Sequence, residues 1–121
     1  MHTEWPAGFE KKGTLKISTI GRRTGQRHDV TTWFAVDHDR RLFIATQDTR
    51  RDWVRNVQKN PSVEVTIGGA TRRMKVLPLK SDSDRQYVSD LYAKKYLSAR
   101  LGRLLKPKGF AHYGAFELQP E

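Results

Sequence analysis

No cysteine occurs in the 121 residues. Disulfide bonds, thiolate catalysis and cysteine-based metal sites are therefore excluded from the start. No apolar run approaches the ~20 residues that span a bilayer as a helix. The N-terminal stretch MHTEWPAGFEKKG carries none of the apolar centre that marks a secretory signal, so a cytoplasmic protein is the expectation. Internal repeats, low-complexity tracts and linkers are missing too, and the length suits one domain spanning residues 1–121. Acidic residues are in short supply. Asp plus Glu number 13 against 23 Lys plus Arg, a formal charge of +10. Such a field attracts polyanions: nucleic acid, an anionic membrane, or a phosphorylated or polycarboxylate small molecule.

What is present reads as a polar globular domain, 36% hydrophobic and 30% charged. Its β-branched and aromatic content is too high for disorder. GTLKISTI, Gly13 to Ile20, alternates Leu15, Ile17 and Thr19 against Lys16 and Ser18, which predicts a strand with one wet face. DVTTWFAVD, Asp29 to Asp37, predicts a second strand. RLFIATQ, Arg41 to Gln47, predicts a third, paired with the second across the polar turn DHDR. The period then changes. Trp53, Val54 and Val57 fall at helical spacing, with Asp48 or Thr49 to cap the start and Asn60-Pro61 to stop the helix. SVEVTI, the Gly68-Gly69 turn and TRRMKVLPLK predict a hairpin. Val88, Leu91, Tyr92 and Tyr96 mark a second helix capped by Ser81 or Ser83. A basic, partly helical connection, SARLGRLLKPKG, leads to a last strand in HYGAFELQP. The order β-β-β-α-β-β-α-β predicts a six-stranded antiparallel sheet curled into a small barrel, mainly β, with two or three covering helices.

The chemistry is concentrated in TIGRRTGQRHDV, Thr19 to Val30, which holds three arginines, one histidine and two glycines. Gly21 and Gly25 bracket Arg22, Arg23 and Thr24. Glycines let a loop tighten and let its amides approach a ligand. Adjacent guanidinium groups and a hydroxyl suit a phosphate or a carboxylate. A solvated hairpin loop would carry the same residues for solubility alone. In ATQDTRRDWVRN, Trp53 can stack on a planar ring with Asn56 one turn on, or anchor the helix in the core. The basic segment TRRM reads as a wet strand face. His2, His28, His38 and His112 show no ligand spacing, so no metal is expected. No nucleophile–base arrangement stands out, and catalytic residues stay unassigned. An enzyme built this way would take its reactivity from a bound cofactor.

Three segments taken together, STIGRRTGQRHDVTTWF, RLFIATQ and DWVRNVQKNPSVEVTI, resemble the deazaflavin-dependent nitroreductase family. That family lies within the split β-barrel superfamily that also holds the pyridoxamine-phosphate-oxidase-like flavoproteins. The match covers roughly residues 13–67. The resemblance implies a hydride-transferring oxidoreductase that uses the deazaflavin coenzyme F420 and a small organic substrate. It implies that Arg22, Arg23 and Thr24 hold the coenzyme's phosphate and anionic tail. His28, Thr31, Thr32 and Trp33 would line the cofactor from the second strand. Ala45, Thr46 and Gln47 would do so from a strand end, and Trp53 and Asn56 from the helix. Barrels of this superfamily often pair, so a homodimer is implied as an assembly. The chain departs from the family pattern in Gln47 where a lysine is usual, in Asp48-Thr49 where two glycines are usual, and in Thr31 or Thr32 where a proline is usual. The residues themselves leave open two other readings: FMN as the cofactor, and a non-enzymatic basic barrel binding single-stranded nucleic acid.

Overall fold

The computed structural model describes residues 5–96 and 114–121. The strands are β1 (Thr14–Ile20), β2 (Arg27–Trp33), β3 (Ala35–Val36), β4 (Leu42–Thr46), β5 (Ser62–Ile67), β6 (Ala70–Pro78) and β7 (Gly114–Pro120); the helices are α1 (Asp52–Lys59) and α2 (Asp82–Lys95). All strand pairings are antiparallel, in the order β2-β1-β5-β6-β7-β4-β3. β2 and β3 stand at opposite ends of this order, yet only Phe34 separates them in the chain. The sheet must therefore curl until its two ends meet, which is the geometry of a split barrel.

The seventh strand corrects the predicted six. The segment from Asp29 to Asp37 is one apolar, β-branched run, but the chain bends at Phe34 and changes partner. β2 runs against β1, with Ile17 opposite Val30. β3 runs against β4, with Ala35 opposite Phe43. The predicted hairpin between the second and third strands survives only in β3 and β4. Leaving one ladder for another strips Phe34 of backbone partners, and a buried peptide group without partners is costly. The Tyr96 hydroxyl supplies them. It accepts the Phe34 N–H at 3.1 Å and donates its single proton to the carbonyl of Phe34 or of Gly13. One turn earlier, the Tyr92 hydroxyl accepts the Ala45 N–H at 2.9 Å and donates to the Trp33 carbonyl at 2.8 Å. Tyr92 of α2 and Tyr96 at its C-cap thus fasten the seam of the barrel.

The core has two parts. Inside the curl, Ile17, Phe34, Ile44 and Val65 pack with Trp53, Val54 and Val57 of α1. On the other side of the sheet, Phe43, Ala45 and Ala115 pack with Val88 and Tyr92 of α2. β4 lies between the two parts, so all five of its residues are buried. Burying each large apolar side chain stabilises the fold by about 2 kcal/mol before chain entropy is charged.

Local signals explain the boundaries. Ser81 caps α2 by accepting the Asp84 N–H at 3.1 Å. Gly68 and Gly69 both have positive φ, as a two-residue hairpin turn requires. The start of α1 differs from expectation. Its N-cap is Arg51, with no side-chain cap, because Asp48 is committed to the preceding turn, where its carboxylate accepts the Arg50 N–H at 2.9 Å. The basic connection from Ser98 to Gly109 lies outside the described residues, as do His2 and His112. Among the described residues no helix is long and apolar enough to cross a membrane.

Candidate functional site

The basic turn joins β1 to β2 and rests on α1. The Gly21 N–H donates to the Gln26 carbonyl at 2.7 Å, and the Gly25 N–H donates to the Gly21 carbonyl at 2.9 Å. Gly25 sits at φ +72°, a conformation open to glycine at little cost. A Cβ on Gly21 would lie 3.0 Å from both the His28 Nε2 and the Thr24 Oγ1. Glycine is thus what lets the imidazole, the hydroxyl and the backbone of the turn close on one another. Thr24 also steadies the turn by accepting the Gln26 N–H at 3.2 Å.

The three arginines of this segment have separate fates. Arg22 turns back onto α1. Its backbone N–H and its Nη1 both donate to the Asn56 Oδ1, at 3.1 and 3.0 Å, and its Nη2 reaches Asp52 at 3.4 Å. Its carbonyl accepts the Lys59 Nζ at 3.0 Å. Asp52, Asn56 and Lys59 follow at i, i+4 and i+7, so one stripe of the helix grips one residue of the turn. Arg27 points the other way and pairs with Asp29 at 3.0 Å and Glu64 at 2.9 Å on the outer face of the sheet. The Ser18 hydroxyl, with Arg27, holds the Asp29 carboxyl below its ordinary range. Arg23 is exposed, and among the described residues its side chain makes no hydrogen bond or ion pair.

Asn56 is 1% exposed and is engaged at both its amide oxygen and its amide nitrogen. Its amide donates to the Thr19 Oγ1 at 3.2 Å, and that hydroxyl leans on the His28 carbonyl at 3.5 Å. A hydrogen-bonded chain therefore runs from α1 through β1 to β2. Sequence reasoning does not single out Asp52, Thr19 or Lys59 as site residues. A signal for Thr19 was available, since a hydroxyl on the apolar face of an alternating strand needs a buried partner.

The remaining predicted site residues do not all gather here. Strand alternation puts His28, Val30 and Thr32 on the face towards the core and Thr31 and Trp33 on the other. Trp33 also lies ~17 Å along the strand from His28. Its indole stacks on the Tyr96 ring with centroids 4.4 Å apart, and it is 38% exposed. Trp53 is 4% exposed and packs edge-on against Phe116 at 5.6 Å, which makes it the core anchor of α1. Ala45 is buried beneath Tyr92. The Thr46 hydroxyl closes the turn with Asp48, and Gln47 is exposed at the strand end.

A second polar cluster, which the sequence did not announce, braces the seam. Lys95 donates to the Phe34 carbonyl at 3.1 Å and lies 3.5 Å from the centre of the Phe34 ring. Burial pulls its ammonium down to about 8, against a smaller opposing pull from Glu10. Burial likewise pushes the Tyr96 hydroxyl up to about 12, with the Phe34 backbone bond working the other way. Among the described residues no group of three or more His, Asp or Glu could hold a metal ion.

A curled antiparallel sheet with a covering helix across its seam defines a split barrel, the fold class of the split-barrel reductases. The sequence profile of the F420H(2)-dependent quinone reductase family matches residues 3–100, and the chain belongs to that family. Solved structures agree in fold. An F420-H2 dependent reductase, FDR-A, superposes with a TM-score of 0.68 at 17% identity, over 89% of this chain and 95% of its own. A second, described as an F420 reductase, gives 0.63 at 16% identity, over 100% and 96%. A third, described as a domain-swapped dimer, gives 0.68 at 18% identity, over 89% and 81%. No curated protein matches the chain in sequence.

Proposed function

We propose that this protein is an F420-dependent oxidoreductase that passes a hydride between the deazaflavin coenzyme and a small organic acceptor, with a quinone as the acceptor class that the family description suggests. The observation that carries the reading is the turn from Gly21 to Gly25, which leaves two successive residues, Arg23 and Thr24, exposed. These donors fit a phosphate, and the absent Cβ of Gly21 lets Thr24 and His28 close on the turn that presents them. The deazaflavin ring, when bound, supplies the hydride. The chain's own work is to bind the acidic end at Arg23 and Thr24. His28 and Thr32 would face the cofactor from β2. No residue is assigned a proton-transfer role, in keeping with a site whose reactivity is borrowed. The chain also carries ten net positive charges, which suit a ligand with a polyanionic tail. A homodimer is the assembly we assign, as one similarly folded structure is described as a domain-swapped dimer.

The test is a fluorescence titration of the purified protein with the deazaflavin coenzyme and, separately, with FMN. Saturable binding of the deazaflavin in preference to FMN is the expected result. Saturation by FMN alone would overturn the cofactor assignment. Binding of neither, with tight uptake of generic single-stranded nucleic acid, would replace it by the basic-barrel reading.

A further inference from the structure

We infer that the two adjacent arginines have different jobs: Arg23 is the phosphate ligand, Arg22 is a strut, and Asn56 is the positioning residue that sets the strut. The inference takes its ligand from the deazaflavin reading but concerns the protein's own residues.

Arg22 is poorly placed to receive an anion. Its side chain is only 21% exposed and faces a carboxylate at 3.4 Å and an amide oxygen at 3.0 Å. Both its backbone N–H and its Nη1 are consumed by the same Asn56 oxygen. A phosphate approaching along the Nη1 and Nη2 donors already in use would compete with the Asp52 carboxylate and with Asn56, whose buried oxygen has no water in exchange. Arg23 follows immediately and is unengaged among the described residues. Pinning Arg22 by its N–H, its guanidinium and its carbonyl to one helical stripe fixes the start of the turn. With the start fixed, the backbone that carries Arg23 and Thr24 need not be ordered on binding, so less entropy is lost when the anion arrives.

The protein offers a direct readout. Each variant is titrated with the deazaflavin coenzyme and with the same chromophore lacking its phosphate, and the ratio of the two affinities is taken. Loss of general stability lowers both affinities, whereas loss of the phosphate cradle lowers the ratio alone. Arg23→Ala should cut the ratio about 10-fold to 100-fold, the range of one charge-assisted hydrogen bond, with an unchanged melting temperature. Arg22→Met, which keeps the backbone N–H bond to Asn56, should lower the melting temperature and cut the ratio much less. Asn56→Leu should cut the ratio and spare the chromophore. Asn56→Asp should restore it, because a carboxylate still accepts both Arg22 bonds and the Thr19 hydroxyl can rotate to donate to it. The inference is overturned if Arg22→Met collapses the ratio as far as Arg23→Ala does, or if Asn56→Leu folds and leaves the ratio at the wild-type value. Should Asn56→Leu not fold, the contrast between the two arginine variants still decides. A parallel titration with inorganic phosphate needs no ring. Wild-type phosphate binding that depends on Arg23, with neither chromophore bound, would keep the division of labour and remove the deazaflavin reading. Phosphate binding that is indifferent to Arg23 would remove the division of labour.

Discussion

Two glycines four residues apart serve the same turn by different physics, and substitution separates them. Gly25 holds φ +72° with nothing within 4 Å of a notional Cβ. Alanine there meets a backbone penalty of about 1–2 kcal/mol and no new contact. The melting temperature of Gly25→Ala should fall by about 4 °C or more. Gly21 is the reverse case. Its backbone has no left-handed requirement, but its Cβ would press on His28 and Thr24 at 3.0 Å. Those side chains are exposed and can move aside, so Gly21→Ala should melt within a few degrees of wild type. It should nonetheless lose about fivefold in affinity for the phosphate-bearing coenzyme, as Thr24 leaves its place. Thermal melts and coenzyme titrations on the two variants check the contrast. Equal losses of stability with equal affinities would refute it.

At the scale of elements, the last turn of α2 is where fold and titration meet. Lys95 ends a helix, braces the Phe34 carbonyl and titrates near 8, well below the ordinary 10.5 of a lysine, because burial disfavours its charge. In the unfolded chain it titrates at its ordinary value. Below pH ~8 both states hold the proton, and the cost of the buried charge is fully present. Between ~8 and ~10.5 the unfolded state binds more protons than the folded one, so stability rises with pH across that window. Lys95→Met keeps the unbranched stem and removes the titration. Wild-type melting temperature should therefore climb relative to Lys95→Met between about pH 7.5 and about pH 9.5, below the range in which Tyr96 ionises. Parallel pH profiles of the two proteins would deny this. The same helix shows what sequence could and could not tell. β5 alternates cleanly and ends in two glycines, so its hairpin was legible from periodicity and turn chemistry. Ser81 was legible as a cap for the same local reason. The split at Phe34 was not, because the bend is stabilised by a hydroxyl 62 residues away rather than by a local breaker. The site divides likewise. Glycine spacing announced the turn, but Arg22 and Arg23 are identical in type and adjacent. Only a helix 34 residues on distinguishes them, through Asn56. Trp53 read equally well as a stacking platform or an anchor, and three-dimensional packing on Phe116 decides for the anchor.

Over the whole molecule, part of the positive charge is held in ion pairs. Arg27, Arg41 and Arg50 are each paired with a carboxylate, whereas Arg23 is not, among the described residues. Close pairs of this kind largely cancel at a distance, so the long-range field comes from the unpaired excess within the +10. That field guides an anion to the barrel, but it does not hold the anion once it arrives. Its reach is set by the ~10 Å screening length at 0.1 M salt, beyond which separated charges cease to matter. A guanidinium in direct contact with phosphate is much less exposed to screening. Coenzyme capture should accordingly divide by rate. Raising salt from about 20 mM to about 500 mM should slow association of the polyanionic coenzyme about tenfold while changing its dissociation rate little. Arg23→Ala should do the opposite and act mainly on dissociation. Association of the phosphate-free chromophore should hardly respond to salt. Stopped-flow fluorescence on wild type and Arg23→Ala at the two salt concentrations measures each rate. Were salt to act on dissociation as strongly as on association, attraction would reside in the contact alone, and the excess charge would have no part in steering the ligand.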